Sequence, residues 1–396
     1  MPARSIAIVG AGLSGLVCAR ILQRHGVPVT VYEADARPDV RQQGGSLDIH
    51  DDTGQIALKE AGLHEQFLAR THVGGEDMRL LDKTGRTHVD RREPAGGGGR
   101  PEIDRQELRQ LLVESLEPAT IRWGRKVVAA WPVGTGHELE FADGSTVRAD
   151  LVVGADGAWS RIRPLLTPTT PRYTGITLVE FRLTDAATKH PQALAVTGRG
   201  NLFALSDNKY IGGHGGDTLA LACGLRVPEN WVADSGIDWH EPESARAGLL
   251  REYADWAPAL TDLIRDCDDN AIWPRPIYAL PTGLTWERVP GVTLVGDAAH
   301  LMSPFAGEGA NIALIDGADL ARELLANADL ETALTRYEKT MFPRGATSAA
   351  ESQNGLEMMF ADGLPKKMIM FFKAMSVVST ITKPFERLFA GKNKEN

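Results

Sequence analysis

The chain has 396 residues, enough for two domains or for one large α/β domain with an insertion. With 43% hydrophobic and 24% charged residues it has a globular composition, and its net charge of −9 argues against a nucleic-acid partner, which needs a basic face. Cys18, Cys223 and Cys267 form no CxxC pair and no metal-like spacing, so a reducing cytoplasm and no bound metal are expected. The opening "RSIAIVG" runs straight into a buried strand over residues 5–10, so no signal peptide is expected. A helix over 13–25 follows, its apolar face carried by Leu13, Leu16, Val17, Ile21 and Leu22, and then a second strand, Val29 to Tyr32. This βαβ unit encloses "GAGLSG". Gly10 permits a tight turn, Gly12 lets a pyrophosphate approach the backbone, and Gly15 lets helix and strand pack closely. Glu33 ends the second strand where a ribose-binding acid belongs. A carboxylate there disfavours a 2′-phosphate, so the pocket suits NAD or FAD rather than NADP.

Helices are expected from about Asp52 to Glu60 and from about Arg105 to Leu116. "PAGGGGR" (Pro94 to Arg100) reads as a flexible loop. Alternation over 121–149, with the turn "ADGS" (Ala142 to Ser145), predicts a small antiparallel sheet. "ADLVVGADG" (Ala149 to Gly157) is a buried strand ending in Asp156-Gly157, and Ser160 and Arg161 are expected to open a helix. Residues 172–225 predict a second, mostly antiparallel sheet. "VTLVGDAAH" (Val292 to His300) returns to the buried type and carries Gly296-Asp297. Everything after Asn311 looks helical, with a break near Gly363-Leu364-Pro365. "KKMIMFFKAMSVVSTITKPF" (Lys366 to Phe385) is too short for a membrane span and is interrupted by Lys373; it reads as an amphipathic helix packed on the protein. No internal repeat is visible.

Three motifs now stand together: the glycine-rich turn, "VVGADGAWSRIRPLL", and "LVGDAAHLMSPFAGEGAN". In this combination the chain resembles the single-component, FAD-dependent aromatic hydroxylases, the class A flavin monooxygenases, over residues 5 to 345. The resemblance implies FAD bound without a covalent link, NADPH as a transient co-substrate, O2, and a small aromatic substrate. It implies that Asp297 holds the ribityl and pyrophosphate part of FAD. Pro304, Gly307, Gly309 and Asn311 then belong to a turn that presents helix N–H groups to the flavin's N1–C2=O edge, where reduced flavin is negative. Asp156 takes a role toward FAD and NADPH, and Arg105 matches a flavin-contacting arginine. The flavin itself carries the oxygen transfer, so no protein group is named as catalytic.

Within that family, "RQQGGSLDIHDDTGQIALKEAGL" (Arg41 to Leu63) and Tyr337-Glu338 with Met341-Phe342 are similar to tetracycline-inactivating monooxygenases. By that likeness Arg41 contacts NADPH and Asp48 the FAD. Glu308 departs from the glutamine expected beside the flavin: its carboxylate either points to solvent or raises the energy of the anionic flavin. "NLFALSDNKYIGGHGGD" (Asn201 to Asp217) matches that subfamily poorly, which leaves the substrate open. Substrate candidates are Phe203, Lys209, His214, Pro304 and Phe305, while His300 reads as a structural residue capping nearby backbone.

The expected fold is α/β: a Rossmann-type FAD-binding domain (1–70, 100–171 and 288–345) interleaved with a mostly antiparallel substrate domain (71–99 and 172–287), plus a C-terminal helical segment (346–396). The expected activity is NADPH-consuming hydroxylation of a tetracycline-like polyketide. The alternatives are a biosynthetic hydroxylase or epoxidase of another fused-ring aromatic, and a FAD-binding reductase or binding protein without oxygenase activity. A cytoplasmic monomer with neither nucleic-acid nor membrane partners is expected.

Overall fold

The computed structural model describes residues 5–38, 40, 45–71, 77–92, 99–269, 272–363, 366 and 368–370. Arg41 and most of the segment Lys366 to Phe385 lie outside the described residues. The chain divides into two compact units, one drawn from 1–73, 97–174 and 277–356, the other from 74–96, 175–276 and 357–396. Residues 277–287 and 346–356 therefore group with the first unit, where the sequence reading left them outside the FAD-binding part. Their bonds explain it. The Leu280 N–H donates to the Leu301 carbonyl (2.8 Å), Trp286 Nε1 donates to Glu338 (3.1 Å), and Ser352 pairs with Ser303 (2.6 Å between hydroxyls).

The first unit is built on a parallel five-stranded sheet in the order Val292–Leu294, Leu151–Gly154, Ile6–Val9, Thr30–Tyr32, Ile121–Arg122. Its central strands are apolar runs because both faces are covered: Ile8, Val31, Leu151, Val152 and Val153 are buried. The helices Leu13–Arg24 and Gly309–Ala326 cross closely at Gly317, where a Cβ would lie 2.2 Å from the Ser14 carbonyl oxygen. Strands Val127–Val133, Gly136–Phe141 and Thr146–Ala149 form the small antiparallel sheet. Its turn at Ala142 to Ser145 is closed by Asp143, which accepts the Ser145 N–H at 3.0 Å.

Ser160 and Arg161 do not open an α-helix; a single 3-10 turn, Arg163–Leu165, follows instead. Ser160 Oγ accepts the N–H groups of Ile162 (3.1 Å) and Arg163 (3.0 Å), as an N-cap would. However, Pro164, Pro168 and Pro171 follow in quick succession and deny the backbone donors a helix needs.

The second unit is built on a seven-stranded sheet in the order Trp273–Ala279, Arg172–Leu183, Leu219–Arg226, Lys209–His214, Asn201–Ser206, Met78–Leu81, Thr87–Arg91. Most of the pairings are antiparallel; Met78–Leu81 runs parallel to Asn201–Ser206. Val179, Phe181, Leu202, Ala204, Ile211, Leu221 and Cys223 share one core with Leu249, Leu260 and Leu263 of the helices Pro242–Glu252 and Pro258–Arg265 and with Tyr253, which caps the first of them. The Tyr253 hydroxyl reaches the carbonyls of Tyr210 (2.9 Å) and Gly224 (2.8 Å).

Candidate active site

The glycine-rich turn is fixed by close approach. Gly10 has φ +105°, and a Cβ on it would lie 2.3 Å from the Ala155 carbonyl oxygen. A Cβ on Gly15 would lie 2.5 Å from the Gly10 oxygen, so only glycine lets the helix start there. Gly12 is the N-cap of Leu13–Arg24 and supplies no side-chain cap, which leaves first-turn N–H groups for an anion. Glu33 is buried, and its carboxylate accepts the N–H groups of Ala11 (2.6 Å) and Asp35 (2.9 Å). It thus holds the loop itself. Arg109 buttresses the same loop: Nε donates to the Ala11 carbonyl (3.0 Å) and a terminal nitrogen to that of Pro38 (2.9 Å). Arg105, the arginine singled out in the sequence, lies one turn earlier and gives its N–H to the Gly45 carbonyl (3.1 Å).

Asp156 follows the strand Leu151–Gly154. One carboxylate oxygen accepts the Arg161 N–H (2.6 Å); the other, Oδ1, is buried without a hydrogen-bond partner. Burial pushes the Asp156 carboxyl above its ordinary range, against the hydrogen bonds it accepts from the Ser160 side chain and the Arg161 backbone. A buried acceptor without a donor is costly, and a cofactor hydroxyl or amide meets that need. Arg163, unremarked in the sequence, ties this loop to the next: it donates to the carbonyls of Ala158 (2.9 Å), Ala298 (2.7 Å) and Asp297 (3.2 Å).

Gly296 has φ +60° and gives its N–H to Asp316 Oδ2 (2.9 Å), which leaves the Asp297 carboxylate exposed. Asp316 is fully buried in the helix Gly309–Ala326. It pairs with His300 Nε2 (2.5 Å) and with Arg344 (2.9 Å), and Arg344 also bonds Asp319 (2.6 Å). His300 is therefore structural, but its partner is a carboxylate rather than backbone. Burial opposes a charged ring there, yet the Asp316 charge and hydrogen bond outweigh it and hold His300 above its ordinary pKa. Burial likewise opposes an ionised Asp316, and His300 and Arg344 outweigh it, so that carboxyl stays below its ordinary range.

The 3-10 turn Pro304–Ala306 leads through Gly307 (φ +73°) to the helix Gly309–Ala326, whose N-cap residue Glu308 makes no capping hydrogen bond. A Cβ on Gly309 would meet nothing within 4 Å, so this helix end faces open space. The Asn311 side chain is not available to a flavin: Oδ1 accepts the His50 N–H (2.9 Å) and Nδ2 donates to the Asp48 carbonyl (2.9 Å). Its amide instead fastens the strand Ser46–Asp48 to the helix start. His50 Nε2 is 2.9 Å from Asp48 Oδ2, and its Nδ1 is 3.4 Å from Glu308 Oε1. Glu308 thus has an imidazole partner, a relationship that the residue's sequence context did not reveal. A Cβ on Gly355 would lie 2.5 Å from the Phe305 carbonyl oxygen, so the helix Leu330–Met359 passes close to that turn.

In the second unit, strand alternation separates the substrate candidates. Phe203, Gly212, Ala222 and Glu180 fall in one row across four strands, on the face opposite the helices. His214 shares that face. Lys209 does not: it stands on the side of Ile211, where its amine donates to the Glu252 carbonyl and lies 5.5 Å from the Tyr253 ring centre. Among the described residues, no group of three or more His, Cys, Asp or Glu is arranged to hold a metal ion. No described helix is long and apolar enough to cross a membrane.

A family model described as an FAD binding domain matches residues 4–204 and 285–350. A monooxygenase of Emericella nidulans, asqM, is 31% identical over 430 residues, covering 90% of this chain and 96% of its own. The fold is similar to that of Klebsiella pneumoniae HpxO solved with FAD and uric acid (TM-score 0.76, 21% identity, 98% of this chain and 95% of that one). It is also similar to the tetracycline destructase Tet(55) (TM-score 0.70, 20% identity, 92% of each chain). The open helix end at Gly12, the unpartnered oxygen of Asp156 and the Gly296-Asp297 turn all suit a flavin dinucleotide, and with these matches the chain belongs to the FAD-dependent monooxygenases.

Proposed function

We propose that this monooxygenase holds FAD without a covalent link, consumes NADPH and O2, and hydroxylates a tetracycline-like polyketide, inactivating it. The observation that carries the cofactor placement is the buried, donor-less Asp156 Oδ1, at the end of the strand Leu151–Gly154, in the loop that Arg163 ties to Asp297 and Ala298. When bound, FAD supplies the electron relay and the oxygen transfer. The first-turn N–H groups of Leu13–Arg24 take the pyrophosphate, and the remaining acceptor capacity of Glu33 takes a ribose hydroxyl. Asp297 accepts from the ribityl chain. The open end of Gly309–Ala326 would hold the pyrimidine edge of the flavin, where the helix dipole would favour negative charge. Arg41, whose planar donors suit a phosphate, would contact NADPH.

For the substrate, the row Phe203, Gly212, Ala222 and Glu180 supplies a ring, two small residues and a carboxylate, a floor suited to a flat molecule with a polar edge. Glu180 is held by Trp273 Nε1 (2.7 Å) and Arg275 (3.2 Å). The polyketide reading is supported by the resemblance of residues 41–63 and by the Tet(55) likeness. A second reading, another fused-ring electron-rich compound, is favoured by the likeness to HpxO, solved with uric acid. The test follows tetracycline absorbance with NADPH and O2 and weighs the product. A product heavier by one oxygen atom supports the first reading. Intact tetracycline, with oxygenation of another fused-ring compound, replaces it with the second.

A further inference from the structure

Glu308 places a carboxylate at the mouth of Gly309–Ala326, where a dipole favouring negative charge would otherwise stand unopposed. The side chain does not cap the helix; it lies against His50. That imidazole is 5% exposed and sits between two carboxylates, Asp48 at 2.9 Å and Glu308 at 3.4 Å. A neutral imidazole has one N–H and serves one carboxylate; only the imidazolium presents a donor to both. Asn311 anchors the arrangement by bonding the backbone on both sides of Ile49. The other charged groups acting on it are Arg100, 3.9 Å from Asp48, and Glu351, which acts on Glu308.

We propose that His50 is a positioning residue whose charge offsets Glu308 beside the flavin, so that the Asp48–His50–Glu308 cluster sets the reduction potential of bound FAD and makes it fall in an added step where the ring loses its proton. This rests on the flavin placement proposed above. With His50 protonated the three side chains carry one net negative charge; when the ring loses its proton they carry two. Reduced flavin is the more negative form, so that loss weakens reduced FAD relative to oxidised FAD and lowers the potential. Burial works against the imidazolium, but the hydrogen bond and charge of Asp48 and the charge of Glu308 outweigh it, so the step lies above the ordinary histidine pKa.

The experiment measures the potential of the FAD-loaded enzyme against pH, by equilibration with reference dyes, in the wild type, His50→Gln and Glu308→Gln. Wild type is expected to show the added downward step. His50→Gln removes the step and, below it, lowers the ratio of reduced to oxidised FAD affinity on the order of ten-fold. For a two-electron couple that is about 30 mV. Glu308→Gln raises the potential by a similar amount and moves the step to lower pH, and it serves alone if His50→Gln does not fold. Wild-type potentials in a folded variant, with FAD bound and substrate still oxygenated, overturn the role of the cluster and leave the flavin reading in place. A wild-type chain that binds no FAD overturns both.

Discussion

Replacing Arg163 by Met tests how the two cofactor loops are held. Arg163 is 3% exposed and donates to four carbonyls, those of Gly157 (3.4 Å), Ala158 (2.9 Å), Ala298 (2.7 Å) and Asp297 (3.2 Å). Hydrogen bonds from a charged donor contribute about 1.5–3 kcal/mol each, though not additively. Methionine preserves most of the apolar stem, and water entering the vacated space satisfies part of the lost bonding. A destabilisation of roughly 3–4 kcal/mol is expected, in the tail of single substitutions that marks a broken buried network. The same change frees the Asp156 and Asp297 loops from each other, so FAD affinity falls with stability. FAD at about 100 times its dissociation constant returns roughly 2.7 kcal/mol to any form that still binds it. Denaturant midpoints with and without FAD separate the two effects. Arg163→Met is expected to unfold earlier in both and to gain less from FAD than wild type. A wild-type midpoint with a wild-type FAD gain would refute the clip.

The cofactor assignments carry further expectations. Asp297→Ala weakens FAD binding by roughly 10- to 150-fold, from the loss of one charged hydrogen bond, read by flavin titration of the apoprotein. Gly10→Ala places a Cβ 2.3 Å from the Ala155 oxygen at φ +105°, and is expected to abolish FAD binding or to yield insoluble protein; wild-type flavin content contradicts this. The raised His300 gives stability that is complete below the ordinary histidine pKa, about 6.5, and is lost as pH rises through its folded value. Asp316→Asn flattens that loss in denaturation curves measured across pH. Arg41→Ala raises the Michaelis constant for NADPH with FAD still bound; an unchanged constant removes Arg41 from the NADPH site.

What could be read in the sequence was local in character. Gly10, Gly12, Gly15 and Glu33 lie within one βαβ unit, so spacing alone brings them together, and Asp156 and Asp297 announce themselves at the ends of apolar runs. Residues that act across long separations gave no such signal. Arg163 sits in "SRIRPLL" like any helix arginine, and two of its partners, Asp297 and Ala298, lie about 135 residues away. His50 meets Glu308 only because Asn311 fastens the strand Ser46–Asp48 to a helix far along the chain. Lys209 was placed with Phe203 and His214 by proximity in sequence. In a strand, a step of one residue changes the face, and the pairing register that decides this is set by partners elsewhere. The helices Pro242–Glu252 and Pro258–Arg265 lie in a stretch that the sequence reading assigns to the sheet domain.

The strand order of the parallel sheet has a consequence for synthesis. Leu151–Gly154 is covered on one side by Ile6–Val9, but its other neighbour is Val292–Leu294, about 140 residues later. At roughly 5–20 residues per second, the ribosome takes about 7–28 s to deliver that strand. Throughout that interval the newborn chain carries an apolar strand with one open hydrogen-bonding edge, a template for pairing with other nascent chains. The whole second unit up to Pro276 emerges before the first can close. Yield in a heterologous host should therefore follow translation speed between residues 155 and 295 and the supply of chaperones that shield open edges, more than the stability of the finished fold.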